Sequence, residues 1–211
     1  MTRLKVFSFL CAAAVAVTTA VYAGPQPDKD AHYVSKDVRL YIPHPKDKQG
    51  WRELKIENNE GDKHVVFRLN YKRPDSENRF DASMTMFSYE HKGSLTWTDP
   101  DTAEQWKVGP STIKKVAELT EHQIQRGFKT IKERDKLRKI RISPEAGSGY
   151  HVAVTGTIDK EPLPQKHAGY VFKANQKTYV LFLDMPLNAA EDKQTMEMIE
   201  GMIGGIRCWK P

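Results

Sequence analysis

The sequence predicts an α+β fold, an antiparallel β-sheet with helices packed on it. Three observations carry this. Segments of period-two alternation come in groups joined by short turns, as in an antiparallel meander. Only two segments have the three-and-four spacing of an amphipathic helix, one mid-chain and one near the end. One late hairpin has an arm that is apolar throughout, as a strand covered on both faces must be. Grouped strands with few helices distinguish this class from alternating βα folds.

The elements follow in order. Residues 1–23 are expected to be a secretory signal peptide. Arg3 and Lys5 precede an uncharged, largely apolar run from Val6 to Val21, and Val21-Tyr22-Ala23 supplies the small residues of a cleavage site. That run of 16 residues is short for a membrane span, which takes about 20. Residues 24–36 are polar with two prolines and read as a flexible tail. Residues 37–207 are expected to form a single α+β domain, secreted or periplasmic, with no membrane span after cleavage.

Val38, Leu40 and Ile42 alternate with polar neighbours in a first strand stopped by Pro43 and Pro45. Trp51–Ile56 is a second strand, with Leu54 and Ile56 on the face opposite Trp51. His64–Tyr71 is a third, and Phe80, Ala82, Met84 and Met86 alternate in a fourth. The segment 91–110 reads as a long loop holding Trp97 and Trp106, either pinned to the body as a lid or exposed as a binding surface. In Ser111–Arg126 the residues Ile113, Val116, Ala117, Thr120 and Ile124 form one helical stripe, capped by Ser111 or Thr112 and ended by Gly127. Phe128–Glu133 and Leu137–Ile142 read as two strands around a charged turn. Tyr150–Ile158 is a further strand. A hairpin pairs Ala168–Lys173 with Thr178–Met185, and its arm Tyr179–Leu183 belongs at the sheet's centre. A last helix starts near Asn188, with Glu191 and Asp192 in its first turn, and buries Met196, Ile199, Met202 or Ile203, and Ile206.

This order resembles the PsbP-like group, which includes the DcrB-type exported proteins. The resemblance lies in Ile42-Pro43 with Trp51 soon after, a middle helix ending in Gly127-Phe128, Gly149-Tyr150-His151-Val152 after a glycine turn, the hairpin arm Tyr179-Val180-Leu181, and an apolar C-terminal helix. It implies an α/β/α-type sandwich with an accessory or binding role. It carries over no site residue.

Composition bounds the chemistry. Cleavage of 23 residues from the 211 leaves 188, enough for one core. One cysteine, Cys208, then remains, so no internal disulfide is available. Between Lys107 and Arg141 eleven basic residues face four acids, on a chain of net charge +6. Such a segment attracts phosphates, acidic lipids or polyanions, or merely keeps a face solvated.

Motifs for catalysis and metals are missing. No two of the seven histidines stand three or four apart, so zinc spacing is absent; only distant residues such as His64, His151 and His167 converging would make a metal site. Ser111-Thr112-Ile113-Lys114 has Ser-x-x-Lys spacing, but no Lys-Thr-Gly or Ser-Asp-Asn accompanies it. No phosphate loop or dinucleotide fingerprint occurs. No catalytic residue, cofactor or metal is therefore expected. Lys114 and Lys115 sit at a helix start, where the dipole prefers acids. With Ser111 and Thr112 they form a candidate anion site at the free N–H groups. The expected function is a non-catalytic exported accessory or binding domain. Its partner would be another envelope protein or an anionic surface, without specific nucleic-acid recognition. The alternatives are a polyanion or anionic-membrane binder through residues 107–141, and a hydrolase with an unrecognised site.

Overall fold

The computed structural model describes residues 31–35, 40–43, 50–54, 63–90, 95–98, 105–108, 113–175 and 177–208. The expected signal peptide lies outside the described residues. Seven strands build the main sheet: β3 (Trp51–Glu53), β4 (Lys63–Tyr71), β5 (Ala82–Glu90), β8 (Thr130–Ser143), β9 (Gly147–Thr157), β10 (Gln165–Ala174) and β11 (Lys177–Pro186). Their order is β3-β4-β5-β11-β10-β9-β8, every neighbouring pair antiparallel. The apolar arm Tyr179–Leu183 thus lies in the central strand, as its composition requires. A small sheet joins β1 (Ala31–Ser35), β2 (Leu40–Pro43) and β12 (Arg207–Cys208), and β6 (Leu95–Thr98) pairs with β7 (Gln105–Val108).

The period-two pattern divides the sheet's side chains between two layers. One face carries Phe67, Leu69, Met84, Met86, Tyr170, Phe172, Tyr179, Leu181 and Leu183, packed with Leu40, Ile42, Ile199, Met202, Ile203 and Ile206. Helix α3 (Lys193–Gly204) and the small sheet supply that cover, after the short α2 (Leu187–Ala190). On the other face α1 (Ile113–Arg126) lays Val116, Ala117, Leu119 and Ile124 over Val152, Val154, Val171 and Val180. Gly169 permits this approach: a Cβ there would stand 2.6 Å from Thr120 Cγ2. The result is the expected α+β class, helix on sheet on helix.

Several elements depart from the sequence expectation. Within the expected tail 24–36, Ala31–Ser35 is a strand paired with β2. The expected loop 91–110 contains the β6–β7 hairpin, with Trp97 and Trp106 directly opposite in register; whether the indoles form a lid lies outside the described residues. Residues 130–143 form one strand with register shifts at 131/133, 135/138 and 141/143, so the charged stretch is a bulge and not a turn. The second strand ends at Glu53; Trp51 is buried and Leu54 exposed. The last helix is broken: Asp192 is the N-cap of α3, its Oδ2 accepting from Thr195 N at 2.8 Å and Thr195 Oγ1 at 2.5 Å. Ile206 is buried just past that helix. Cys208 pairs with Leu40 in β12–β2, and burial pushes its thiol up to about 12.

Candidate functional site

The site begins with cross-strand register. On the face under α3, Arg138 of β8 stands opposite His151 of β9, His151 opposite Tyr170 of β10, and Tyr170 opposite Leu181 of β11. Same-face neighbours in a ladder touch. The row therefore grades from an exposed guanidinium, through an imidazole and a phenol, to the apolar core. His151 and Tyr170 rings lie with centroids 4.8 Å apart. The adjacent row holds Asp135, Ala153, Ala168 and Leu183. The small Ala168 between larger neighbours leaves a depression, and α3 closes it with Met196, Glu200 and Ile203. The cleft encloses about 400 Å³, within the size class of small-molecule sites, roughly 300–1,000 Å³.

Its electrostatics are unusual for a covered sheet face. His151 is 7% exposed, and its Nδ1 is buried without a hydrogen-bond partner. Burial, with the charges of Arg138 and Lys166, lowers this histidine to about 4 against the pull of Asp135. It is therefore neutral at pH 7. Burial and Glu200 push Tyr170 up to about 12, keeping its hydroxyl protonated. Arg138, Arg141 and Lys166 line the cleft with Asp135 and Glu200. Among the described residues, none of these five charges has an oppositely charged partner within 4.0 Å, unlike Arg134, which holds Glu121 of α1 at 2.6 Å. The lining is thus one unit positive, with an apolar floor of Ala168, Leu183 and Met185.

The opposite face carries a second polar row. Arg52, Asn70, Ser83, Asp184 and His167 are successive cross-strand neighbours on β3, β4, β5, β11 and β10. His167 Nδ1 lies 3.3 Å from Asp184 Oδ1, and Ser83 Oγ donates to Asn70 Oδ1 at 2.9 Å. Burial lowers the His167 pKa, while the Asp184 charge opposes that. Aspartate separates the serine from the histidine, so the imidazole cannot take the Ser83 proton as a general base must. His151 and His167 sit on opposite faces of the sheet and do not converge. Among the described residues no three of His, Cys, Asp and Glu group as metal ligands.

Of the anion site expected at the middle helix, Ser111 and Thr112 lie outside the described residues. Lys114 and Lys115 are exposed on the first turn of α1, and Lys115 Nζ lies 3.2 Å from Glu118 Oε2. The sequence singled out neither Tyr170 nor Arg138. Aligning the three strands would have joined them to His151, but the bulge at 135/138 hides that register.

No family model matches the chain, and no curated protein matches it. Among solved structures it is similar to LpqN, involved in cell envelope biogenesis of Mycobacterium tuberculosis, at 10% identity over 87% of this chain and 98% of that one, TM-score 0.43. It is similar to cyanobacterial PsbP from Synechocystis sp. PCC 6803 at 10% identity over 84% and 91%, TM-score 0.49. It is similar to a variant of the protein Mog1 at 14% identity over 83% and 93%, TM-score 0.43. Likenesses of this size transfer no residue and no activity.

Proposed function

We propose that the chain is an exported, non-catalytic binding domain that holds a small amphipathic organic anion in the cleft between α3 and the β8–β10 end of the sheet. Export rests on the leader-like residues 1–23. Among the described residues no helix is long and apolar enough to cross a membrane. The observation that carries the binding reading is the trio Arg138, Arg141 and Lys166, none with an oppositely charged partner within 4.0 Å among the described residues, set around an apolar floor. A concave apolar site with a few convergent charges is the form a small-molecule site takes. The anionic head meets Arg138, Arg141 and Lys166, the Tyr170 hydroxyl donates to it, and the apolar body lies on Ala168, Leu183 and Met185.

Titration of the labelled protein with decanoate, decanol and decylammonium, followed by amide chemical shifts, tests this. Decanoate is expected to shift amides of residues 138–142, 166–170 and 196–204, decanol weakly, and decylammonium least. Equal response to all three, or shifts elsewhere only, contradicts it.

One observation favours a second role for the basic segment. Lys132, Lys136 and Lys139 are exposed on the edge strand β8, and Lys114 is exposed on the neighbouring α1. The charge gathered in sequence is thus also gathered on one flank. Docking to an anionic surface through that flank predicts vesicle binding that falls steeply with salt. Binding to phosphatidylglycerol vesicles that is absent or indifferent to salt eliminates this role.

A further inference from the structure

We propose that the open groove over the His167–Asp184 pair, on the face opposite the α3 cleft, binds a neutral oligosaccharide. The groove spans about 1120 Å³, more than one sugar ring requires and open enough for a chain. Its floor is the polar row Ser83, Asp184 and His167, on the sheet face that carries Val152, Val154, Val171 and Val180 under α1. One wall is the 73–80 segment, and the other is the connection before β10.

Three features select the ligand class. The first is donor and acceptor type. A sugar hydroxyl both gives and takes a hydrogen bond. Its natural partners are a carboxylate, an imidazole, a hydroxyl and a side-chain amide close together. Asp184, His167 and Ser83 line one end of the groove in this way, beside the buried Gln165, whose Nε2 donates to Leu163 O at 3.0 Å; Ser83 Oγ, donating to Asn70, keeps its acceptor lone pairs. The second is charge. Three cations, Arg73, Arg79 and Lys160, stand against four carboxylates, Asp75, Glu77, Glu161 and Asp184. The Arg73 guanidinium is already committed to Asp81 at 3.5 Å and Asp192 at 3.4 Å. A lining with that balance does not concentrate anions. The third is apolar surface. Leu163 is 38% exposed on one wall, and half-buried Phe80 lines the other, with the Arg79 guanidinium 5.4 Å from its ring centroid. Sugar C–H faces pack on such surfaces.

The groove is also preformed. Asp81 is fully buried and accepts from Arg73 N at 2.7 Å, Ser76 Oγ at 2.6 Å and Asn78 Nδ2 at 2.9 Å. Burial pushes its carboxyl up, but these hydrogen bonds outweigh that and hold it below the usual range. Asn78 Nδ2 also reaches Asn188 Oδ1 at 3.2 Å, tying the wall to α2. A wall fixed before binding reduces the ordering cost of association.

The test is a chemical-shift titration of the purified protein with maltotetraose, cellotetraose, chitotetraose and mannotetraose, with inorganic phosphate as the anion arm. At least one tetrasaccharide is expected to shift amides of residues 76–83 and 160–167. Asp184→Asn, which keeps shape and removes charge, is expected to weaken that binding tenfold or more. Leu163→Asp, at an exposed position that cannot upset the core, is expected to weaken it similarly. The proposal is overturned if no tetrasaccharide moves those amides, if phosphate alone does, or if both variants bind as the parent does. Decanoate shifts at residues 138–142 report the other site, so the two readings stand or fall separately.

Discussion

At the scale of single residues, His151 makes stability depend on pH. A free histidine titrates near 6.5 and this one near 4. As pH falls, the unfolded chain therefore takes up its proton first. The stabilising contribution is complete above pH 6.5, declines between 6.5 and 4, and changes no further below, with a total of about 3 kcal/mol. Denaturant unfolding at steps of pH is expected to show that slope, and His151→Phe to remove it. The same substitution replaces an orphan polar atom by an apolar ring, so it should also raise stability at neutral pH by about 1 kcal/mol. A variant that is less stable would show that Nδ1 is satisfied in solution. Gly169 has a simpler role. A methyl group there meets Thr120 and Ile124, so Gly169→Ala is expected to cost about 1–3 kcal/mol by overpacking, read from the denaturant midpoint.

At the scale of elements, legibility followed burial. The central arm Tyr179–Leu183, the stripe of α1 and the alternation in β5 were readable because a buried face forces a period. Strand β8 is hidden in the sequence for the opposite reason. Its residues are exposed almost throughout, so no apolar period marks it, and Arg134-Asp135-Lys136 looks like a turn. Charge and bulges are how an edge strand resists pairing with another copy. Replacing Lys132, Lys136 and Lys139 together by Thr is accordingly expected to promote self-association, visible in light scattering with a monomer control. The helix expected from near Asn188 does start there, as α2, but its break before α3 is hidden because a capping aspartate and a first-turn acid look alike in sequence. Asp192→Ala is expected to lose about 1 kcal/mol from α3, and thermal melts check it. The candidate cleft was the least legible part, since its members are brought together by register across a bulge and by a helix from the chain's end.

At the scale of the whole molecule, one sheet separates two unlike chemistries. The face under α3 ends in a depression with an apolar floor and a lining one unit positive; the face beyond α1 ends in a polar groove with one more carboxylate than cations. The architecture explains the division, because side chains of alternate residues enter different layers. Sequence charge alone pointed to the basic flank, not to the cleft beside it. The proposed binding of an amphipathic anion in the α3 cleft joins these features. Calorimetric titration of decanoate into the parent protein and into Ala168→Phe tests it most directly. The prediction is a saturable one-to-one isotherm for the parent, weakened at high salt and lost when phenylalanine fills the depression. Equal heats from both proteins, or none from the parent, would contradict it.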